Sequence, residues 1–133
     1  MNTLQTATAR QSLQAAYDGT RPFPDIVREL ASAGFEGYTV DYRCGTTTYF
    51  LPDGDHVTLN NPPSDQAVSP AFDQPAIAAR IQWAQANPPG YSYKAFCHHV
   101  KAAGCAGYIV SFSGRRVLYF GRTAETHVEL FPQ

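Results

Sequence analysis

The chain lacks several features that would assign a protein to a class at once. No apolar run approaches the roughly 18 residues of a membrane span, and the first nineteen residues lack the apolar centre of a signal peptide. The three cysteines, Cys44, Cys97 and Cys105, are odd in number and form no CxxC pair. Such a set is typical of a reducing compartment rather than of a disulfide framework. We therefore expect a cytoplasmic protein that does not contact a membrane.

The chain also lacks an excess of charge of either sign. Its formal net charge is −1, which argues against broad electrostatic attraction to nucleic acid. The 133 residues, 44% of them hydrophobic, are enough for one buried core but not for two independent ones. We therefore expect a single domain over residues 1–133 and no nucleic-acid partner.

The chain does contain one ten-residue sequence motif in two similar copies. AGFEGYTVDY occupies residues 33–42, and AGCAGYIVSF occupies residues 103–112. The same shift of seventy places Tyr49 and Phe50 on Tyr119 and Phe120. If the last turn of the second copy has one extra residue, a further set aligns, namely His56, Val57 and Leu59 with His127, Val128 and Leu130. Self-similarity at a fixed period predicts that each copy is one supersecondary unit.

Each copy has the pattern of two helices followed by three strands. Apolar residues at helical spacing predict helices over 4–17 and 75–87, and in each copy a second helix that ends at Gly34 or Gly104. The period then changes to two, as in GYTVDYR and GYIVSFS, with turns at Cys44-Gly45 and Ser113-Gly114. We expect an α+β fold with two tandem ααβββ repeats forming one pseudo-two-fold domain, whose mainly antiparallel sheet is covered by helices on one face. Repeat one spans 3–59, the connecting loop 60–72, and repeat two 73–131.

Two segments resemble a known family. AGCAGYIVSFSGRRVLYFGRTAETHVELFP is similar to the C-terminal signature of the small bacterial proteins of domain-of-unknown-function family 1398, and FPDIVRELASAGFEGYTVDYRCGTTTYFLPDG resembles its N-terminal segment. The likeness covers nearly the whole chain. The family has no established shared activity, so the resemblance implies no catalytic residues. Some members carry the label "phage envelope protein", which nothing in these residues supports physically.

The alternation of the strands predicts a polar sheet face that could carry chemistry. If Tyr38, Val40, Tyr108 and Val110 face the helices, the opposite face receives Asp41, and the simplest meander adds His56, His127 and Glu129. Histidine titrates near neutrality, so His127 or His56 could act as a general acid or base, oriented by Glu129 or Asp41. A solvated face of an antiparallel sheet would have the same pattern without any function.

The remaining polar candidates favour ligand binding. Arg43 and Ser111 belong to the same predicted face, and Arg116 and Arg122 flank the aromatic Tyr119 as a possible anion clamp. The histidines and acids lack the close spacing of a metal site, so we expect neither a metal nor a cofactor. His98 and His99 diverge on a helix and cannot readily share an ion.

Three functions are compatible with these patterns. The leading hypothesis is a small cytoplasmic protein that binds a small organic ligand in a groove between its two repeats. An alternative is an acid-base enzyme of isomerase, cyclase or hydrolase type that uses His127 with Glu129 or Asp41. Another is a homodimer or adaptor in which an exposed sheet face or edge meets a protein partner.

Overall fold

The computed structural model describes residues 1–132 and contains four helices and six strands. The helices are α1 (Thr3–Asp18), α2 (Phe23–Ser32), α3 (Gln74–Ala86) and α4 (Tyr93–Ala102). The strands are β1 (Gly37–Asp41), β2 (Thr46–Phe50), β3 (His56–Asn60), β4 (Cys105–Ser111), β5 (Arg116–Gly121) and β6 (Thr126–Leu130). The chain order is α1, α2, β1, β2, β3, α3, α4, β4, β5, β6, so the expected order of helices and strands is confirmed.

The helix ends follow from local chemistry. Asn2 caps α1 by accepting a hydrogen bond from the backbone of Gln5, whose side chain bonds back to Asn2. Gly19 ends α1 in the left-handed conformation, with φ of 71°. Ser92 caps α4 through the backbone N–H of Ala95 at 3.0 Å. These caps satisfy backbone groups that have no partner inside the helix.

The six strands form one antiparallel sheet in the order β3-β2-β1-β4-β5-β6. The central pair joins β1 to β4, with Thr39 opposite Ile109. The α+β class and the antiparallel sheet are therefore confirmed.

One face of the sheet forms the core together with the helices. Its buried side chains share one parity in each strand, namely Tyr38, Val40, Thr47, Tyr49, Leu59, Tyr108, Val110, Val117 and Tyr119. Helix residues such as Leu30, Ile77 and Val100 pack against them and are themselves fully buried. The opposite face, called the open face below, carries the alternate residues and includes the exposed Ile109 and Leu130.

The last strand has a different register from the one that we expected. Tyr49 pairs with Val57 across β2 and β3, and Tyr119 pairs with His127 across β5 and β6. The two partners are eight residues apart in sequence in both hairpins, so the second copy has no extra residue in its last turn. The expectation of an extra residue there is wrong. A register shift of one residue moves every side chain to the other face. His127 and Glu129 therefore face the helices, while Val128 and Leu130 lie on the open face.

Two glycines allow the central strands to approach each other. A Cβ on Gly37 would lie 2.2 Å from the carbonyl oxygen of Val110, and a Cβ on Gly107 would lie 2.2 Å from that of Val40. Neither distance is sterically possible, so the β1–β4 pairing requires glycine at both positions.

The three cysteines are free thiols. Cys44 is exposed, and Cys97 and Cys105 are buried. Over residues 1–132, no helix has both the length and the apolar character needed to cross a membrane.

Candidate functional site

The two histidines, which we expected at equivalent points of one groove between the repeats, lie far apart. β3 and β6 are the two edges of the sheet, and four strands lie between them. At about 4.8 Å per strand, their separation is roughly 24 Å. His56 lies on the open face beside the ring of Phe50, whereas His127 is on the helix side. The prediction that His56 and His127 share one groove is therefore wrong.

His127 does contact Glu129, as predicted. Its Nε2 lies 2.8 Å from Glu129 Oε1, and its Nδ1 lies 2.8 Å from the side-chain nitrogen of Gln74. Because a carboxylate only accepts hydrogen bonds, Nε2 of a neutral His127 carries the proton, and Nδ1 accepts a hydrogen bond from the Gln74 amide. Both ring nitrogens already have partners, and an acid-base role would require one of these bonds to break.

Asp41 is not part of this cluster. One of its carboxylate oxygens accepts hydrogen bonds from the backbone N–H groups of Arg43 and Cys44, at 2.9 and 3.0 Å. Asp41 therefore closes the turn between β1 and β2, near the centre of the sheet, whereas His127 is on an edge strand. The predicted pairing of His127 with Asp41 is wrong.

The structure does not bring the predicted ligand-binding residues together. Arg116 begins β5 and Arg122 follows its end, so that about six residues at roughly 3.3 Å each separate them by about 20 Å. Tyr119 is buried on the helix side. Ser111 accepts the turn N–H of Gly114, and Arg43 is exposed in the first hairpin turn. These side chains do not form the predicted anion clamp.

A depression of about 240 Å³ lies on the open face above Gly37. Phe50 and Ile109 contribute apolar walls and Ser111 contributes a hydroxyl. The corresponding space over Gly107 is occupied by the ring of Phe120, 2.8 Å from where a Cβ would lie. None of the described residues that line the depression is Lys, Arg or His. Glu36 supplies the one carboxylate of its described lining, so the depression offers little to an anion.

A second cavity, of about 130 Å³, lies on the helix side and has a different character. We call it the lysine cavity. It is enclosed by the end of α1, the β1–β2 turn, α4 and the segment 61–66, and its described lining is Tyr17, Tyr42, Gly45, Asn61, Pro62, Pro63, Ser64, Gln66, Lys94, Cys97 and Lys101. The first half of the chain, the second half and the connection between them therefore all contribute to it.

The segment 61–66 is held across the cavity by bonds at both sides. Asn61 donates its backbone N–H to the carbonyl of Gly45 at 2.8 Å and accepts the hydroxyl of Thr47 at 2.6 Å. Shortly after the segment, Ser69 donates to the carbonyl of Lys101 at 3.0 Å. The two prolines between these anchors restrict the backbone further. The cavity is thus covered by an ordered strap.

Lys101 is the unusual residue of the site, because it is only 5% exposed. Its Nζ donates to Ser64 Oγ at 2.6 Å and lies 5.6 Å from the centre of the Tyr42 ring. An ammonium group has three N–H donors, and Ser64 uses one. No ion pair within residues 1–132 includes Lys101. Lysine is almost never buried without a partner, so this arrangement is exceptional.

The other polar groups of the cavity are donors rather than bases. The hydroxyl of Tyr42 is buried without a hydrogen-bond partner among the described residues, and burial raises the pKa of Tyr42 well above its usual value. Burial also raises the pKa of the Cys97 thiol, whose sulfur lies 3.9 Å from the Tyr17 hydroxyl. These groups therefore stay protonated at neutral pH and can donate hydrogen bonds to a ligand.

The sequence did contain a signal for this site. Lys94, Cys97 and Lys101 are spaced by three and four residues, which places them on one stripe of α4. Cys97 belongs to the apolar face of that helix, so Lys101 is a cation on an apolar face. Lys94 and Lys101 are also the only two lysines of the chain. Both of them line this cavity.

Comparison with known proteins adds no assignment. A scan against protein-family models finds no match to the chain, and a search of the curated proteins finds none either. The geometry of the lysine cavity is therefore the main guide to function.

Proposed function

We propose that the protein binds a small organic anion in the lysine cavity, with Lys101 as the principal contact. The observation that carries this proposal is the burial of Lys101 beside a cavity with no carboxylate partner among residues 1–132. This proposal keeps the leading hypothesis from the sequence, a small ligand bound between the two halves of the chain, but places the site at other residues.

The physical reason is the free-energy cost of burying an uncompensated charge. Removing one ion from water costs several kcal/mol even after the protein relaxes. The ring of Tyr42 and the hydroxyl of Ser64 offset only part of that cost. An anion in the cavity would accept hydrogen bonds from the two N–H groups of Lys101 that have no partner among the described residues and would neutralise its charge.

The size of the cavity limits the ligand. At about 130 Å³, it is smaller than the roughly 300 Å³ at which pockets for drug-sized molecules begin. The occupant is therefore a small acid, or the charged end of a longer molecule whose remainder leaves past the exposed Lys94.

The chemistry of the lining favours binding over catalysis. Acid-base catalysis needs a group that accepts a proton near neutral pH. The described lining has no His, Asp or Glu, and the raised pKa of Cys97 keeps that thiol protonated. The enzyme alternative would require His127, which lines neither cavity.

We also propose that the chain consists of two tandem ααβββ repeats related by a pseudo-two-fold axis. Supporting this, α2 and α4 have bounds offset by seventy residues, as do β2 and the first five residues of β5, and β3 and β6. In the central pair, Thr39 faces its own counterpart Ile109, and an added Cβ on either Gly37 or Gly107 would lie 2.2 Å from a carbonyl oxygen of the paired strand. Membership of family 1398 and a cytoplasmic location stay predictions.

A second candidate function is self-association through the open face. Ile109, Val128 and Leu130 are 43%, 42% and 61% exposed on this face, which is unusual for large apolar side chains. A second copy of the chain could cover them by face-to-face sheet packing. Sedimentation of the protein and of Leu130→Glu tests this: a dimer lost in the variant supports it, and a monomer at high concentration rejects it.

Thermal denaturation with a panel of small organic acids, at constant ionic strength, tests the main proposal. A ligand that binds the native state raises the melting temperature according to its concentration over its Kd. We expect such a hit to disappear in Lys101→Met and to persist in Arg10→Met, which removes an exposed cation away from the cavity. A hit retained in Lys101→Met would place the site elsewhere, and no hit for any anion would reject the proposal.

A further inference from the structure

The lysine cavity has a charge that suits one class of anion better than others. Its described lining contributes two cations, Lys94 and Lys101, and no Asp or Glu. A cleft lined by one sign of charge concentrates the opposite charge. A ligand with one negative charge would leave the site with an excess of one positive charge.

The two lysines differ in their surroundings. Lys101 is buried against the strap, whereas Lys94 is exposed one turn above Cys97 on the same stripe of α4. Seven residues of helix separate their Cα atoms by about 10 Å along the axis. The long side chain of Lys94 can cover much of that distance and meet a ligand held by Lys101.

The hydroxyl groups around the site strengthen the same preference. The hydroxyl of Tyr42, which has no hydrogen-bond partner among the described residues, and the side chain of Tyr17 line the cavity beside the two ammonium groups. A tetrahedral anion has several acceptor oxygens directed differently, so that it can accept from ammonium and hydroxyl donors at once. A monocarboxylate has only two oxygens, which lie in one plane, so it meets donors from fewer directions.

We propose that the ligand of the lysine cavity carries a doubly charged anionic group, held at its inner side by Lys101 and at the rim by Lys94. This inference rests on the proposed function and specifies its ligand class. Phosphate monoesters, inorganic sulfate and compact dicarboxylates share this chemistry. Lys101 supplies most of the affinity, because its charge is shielded from water, and Lys94 selects the second negative charge.

The screening of the two lysines should differ as well. Salt weakens interactions of exposed charges over a Debye length of about 8 to 10 Å but affects buried charges much less. The contribution of Lys94 should therefore fall as sodium chloride is added, and that of Lys101 should largely remain. A purely structural role for Lys94 would not produce this dependence.

Isothermal titration calorimetry with sulfate, inorganic phosphate, malonate and acetate tests the inference on the protein, Lys94→Gln, Lys101→Met and Arg10→Gln. We expect the dianions to bind more tightly than acetate. Lys94→Gln should weaken dianion binding about fivefold, the effect of an exposed ion pair near 1 kcal/mol, and leave acetate unchanged. Lys101→Met should abolish binding of all four, and Arg10→Gln should change none.

The outcomes separate the inference from the proposed function. The preference for a dianion would be overturned if acetate and sulfate bound equally tightly, or if Lys94→Gln weakened the binding of both equally. Either result would leave an anion site at Lys101. No binding of any anion would reject both proposals. Lowering the pH distinguishes a phosphate monoester from sulfate, because the second pKa of a phosphate monoester is about 6. Below that pH the binding of a simple phosphate monoester should weaken, and the binding of sulfate should not.

Discussion

The ammonium group of Lys101 lies 2.6 Å from the hydroxyl of Ser64, and this contact joins α4 to the strap that closes the lysine cavity. The contact satisfies one donor without neutralising the charge. Natural proteins often keep such unfavourable groups where function requires them, at a cost in stability. If Lys101 is retained for binding, its removal should improve the stability of the unliganded protein rather than reduce it.

Replacing Lys101 with Met should leave the free energy of unfolding unchanged or raise it by up to about 2 kcal/mol in the absence of ligand. Methionine keeps the length and flexibility of the side chain and removes the desolvated charge. Urea denaturation in a chloride buffer measures this, with Lys94→Met as the exposed control. A loss of stability greater than that of the control would show that Lys101 is a structural residue.

The bond between Lys101 and Ser64 should appear as a coupling energy. Ser64→Ala removes the acceptor and should lower the free energy of unfolding by about 1 to 2 kcal/mol in the natural background. In Lys101→Met the same change should cost almost nothing, since the cation is already absent. A double-mutant cycle from urea denaturation measures the coupling. Additive effects would mean that the two side chains do not interact in solution.

The paired glycines of the central strands make a prediction about the sheet. Gly37→Ala and Gly107→Ala each place a Cβ against a backbone carbonyl, so each should lower the free energy of unfolding by about 3 kcal/mol or more. Gly19→Ala is the control, because a Cβ added at Gly19 meets no other atom and only the left-handed backbone conformation is strained. This strain should cost about 1 kcal/mol of stability. Closely similar losses at Gly37 and Gly107 would support the pseudo-two-fold; a loss at only one would argue against it.

Much of the architecture followed from the sequence because it depends on local patterns. The change of period from helix to strand and the glycine stops predicted the order of elements. The last strand was different, because its assignment depended on aligning His56 with His127. That identity is a coincidence of the alignment, since Val57 is the residue that occupies the position of His127 in the other hairpin. A single-residue error of this kind exchanges the two faces of the strand.

The candidate site was harder to predict, because its formation depends on a distant segment. Lys101 is buried partly because Ser64, 37 residues earlier, folds over it, and periodicity within α4 does not report that contact. Its counterpart by the shift of seventy, Ala31, is exposed. A lysine on the apolar face of a helix was the available signal, but lysine at such a position usually extends its head group to water.

The histidines provide the contrast to the lysine cavity. Because His56 and His127 line neither cavity, replacing each with Ala should leave the affinity for the anion within about twofold, as expected for distant, independent sites. His127→Ala should still destabilise the fold by about 1 kcal/mol or more, through the loss of its bonds to Gln74 and Glu129. Calorimetric titration and urea denaturation measure the two effects. Loss of binding in either variant would return the site to the histidines.

The buried tyrosines make the stability sensitive to alkali. Burial raises the pKa of Tyr38, Tyr42, Tyr93 and Tyr108 well above the ordinary value. The unfolded chain loses these protons near pH 10, whereas the folded protein retains them, so their contribution is complete below about pH 10 and is lost above it. Each tyrosine should remove about 1.4 kcal/mol of stability per pH unit in that range. Burial also raises the pKa of the other four tyrosines, namely Tyr17, Tyr49, Tyr91 and Tyr119. The eight together predict a steep, cooperative transition.

Tyrosinate absorbance followed together with circular dichroism measures that transition. We expect the tyrosine hydroxyls to ionise in one step that coincides with the loss of secondary structure. Tyr42→Phe is the matched variant, because its hydroxyl has no partner among the described residues. It should be at least as stable at neutral pH, and its stability should fall less steeply above pH 10, by about 1.4 kcal/mol per unit. Ionisation of all the tyrosines near pH 10 with the fold intact would mean that the hydroxyls beside Lys101 are open to water, and the lysine cavity would then lose its low-dielectric character.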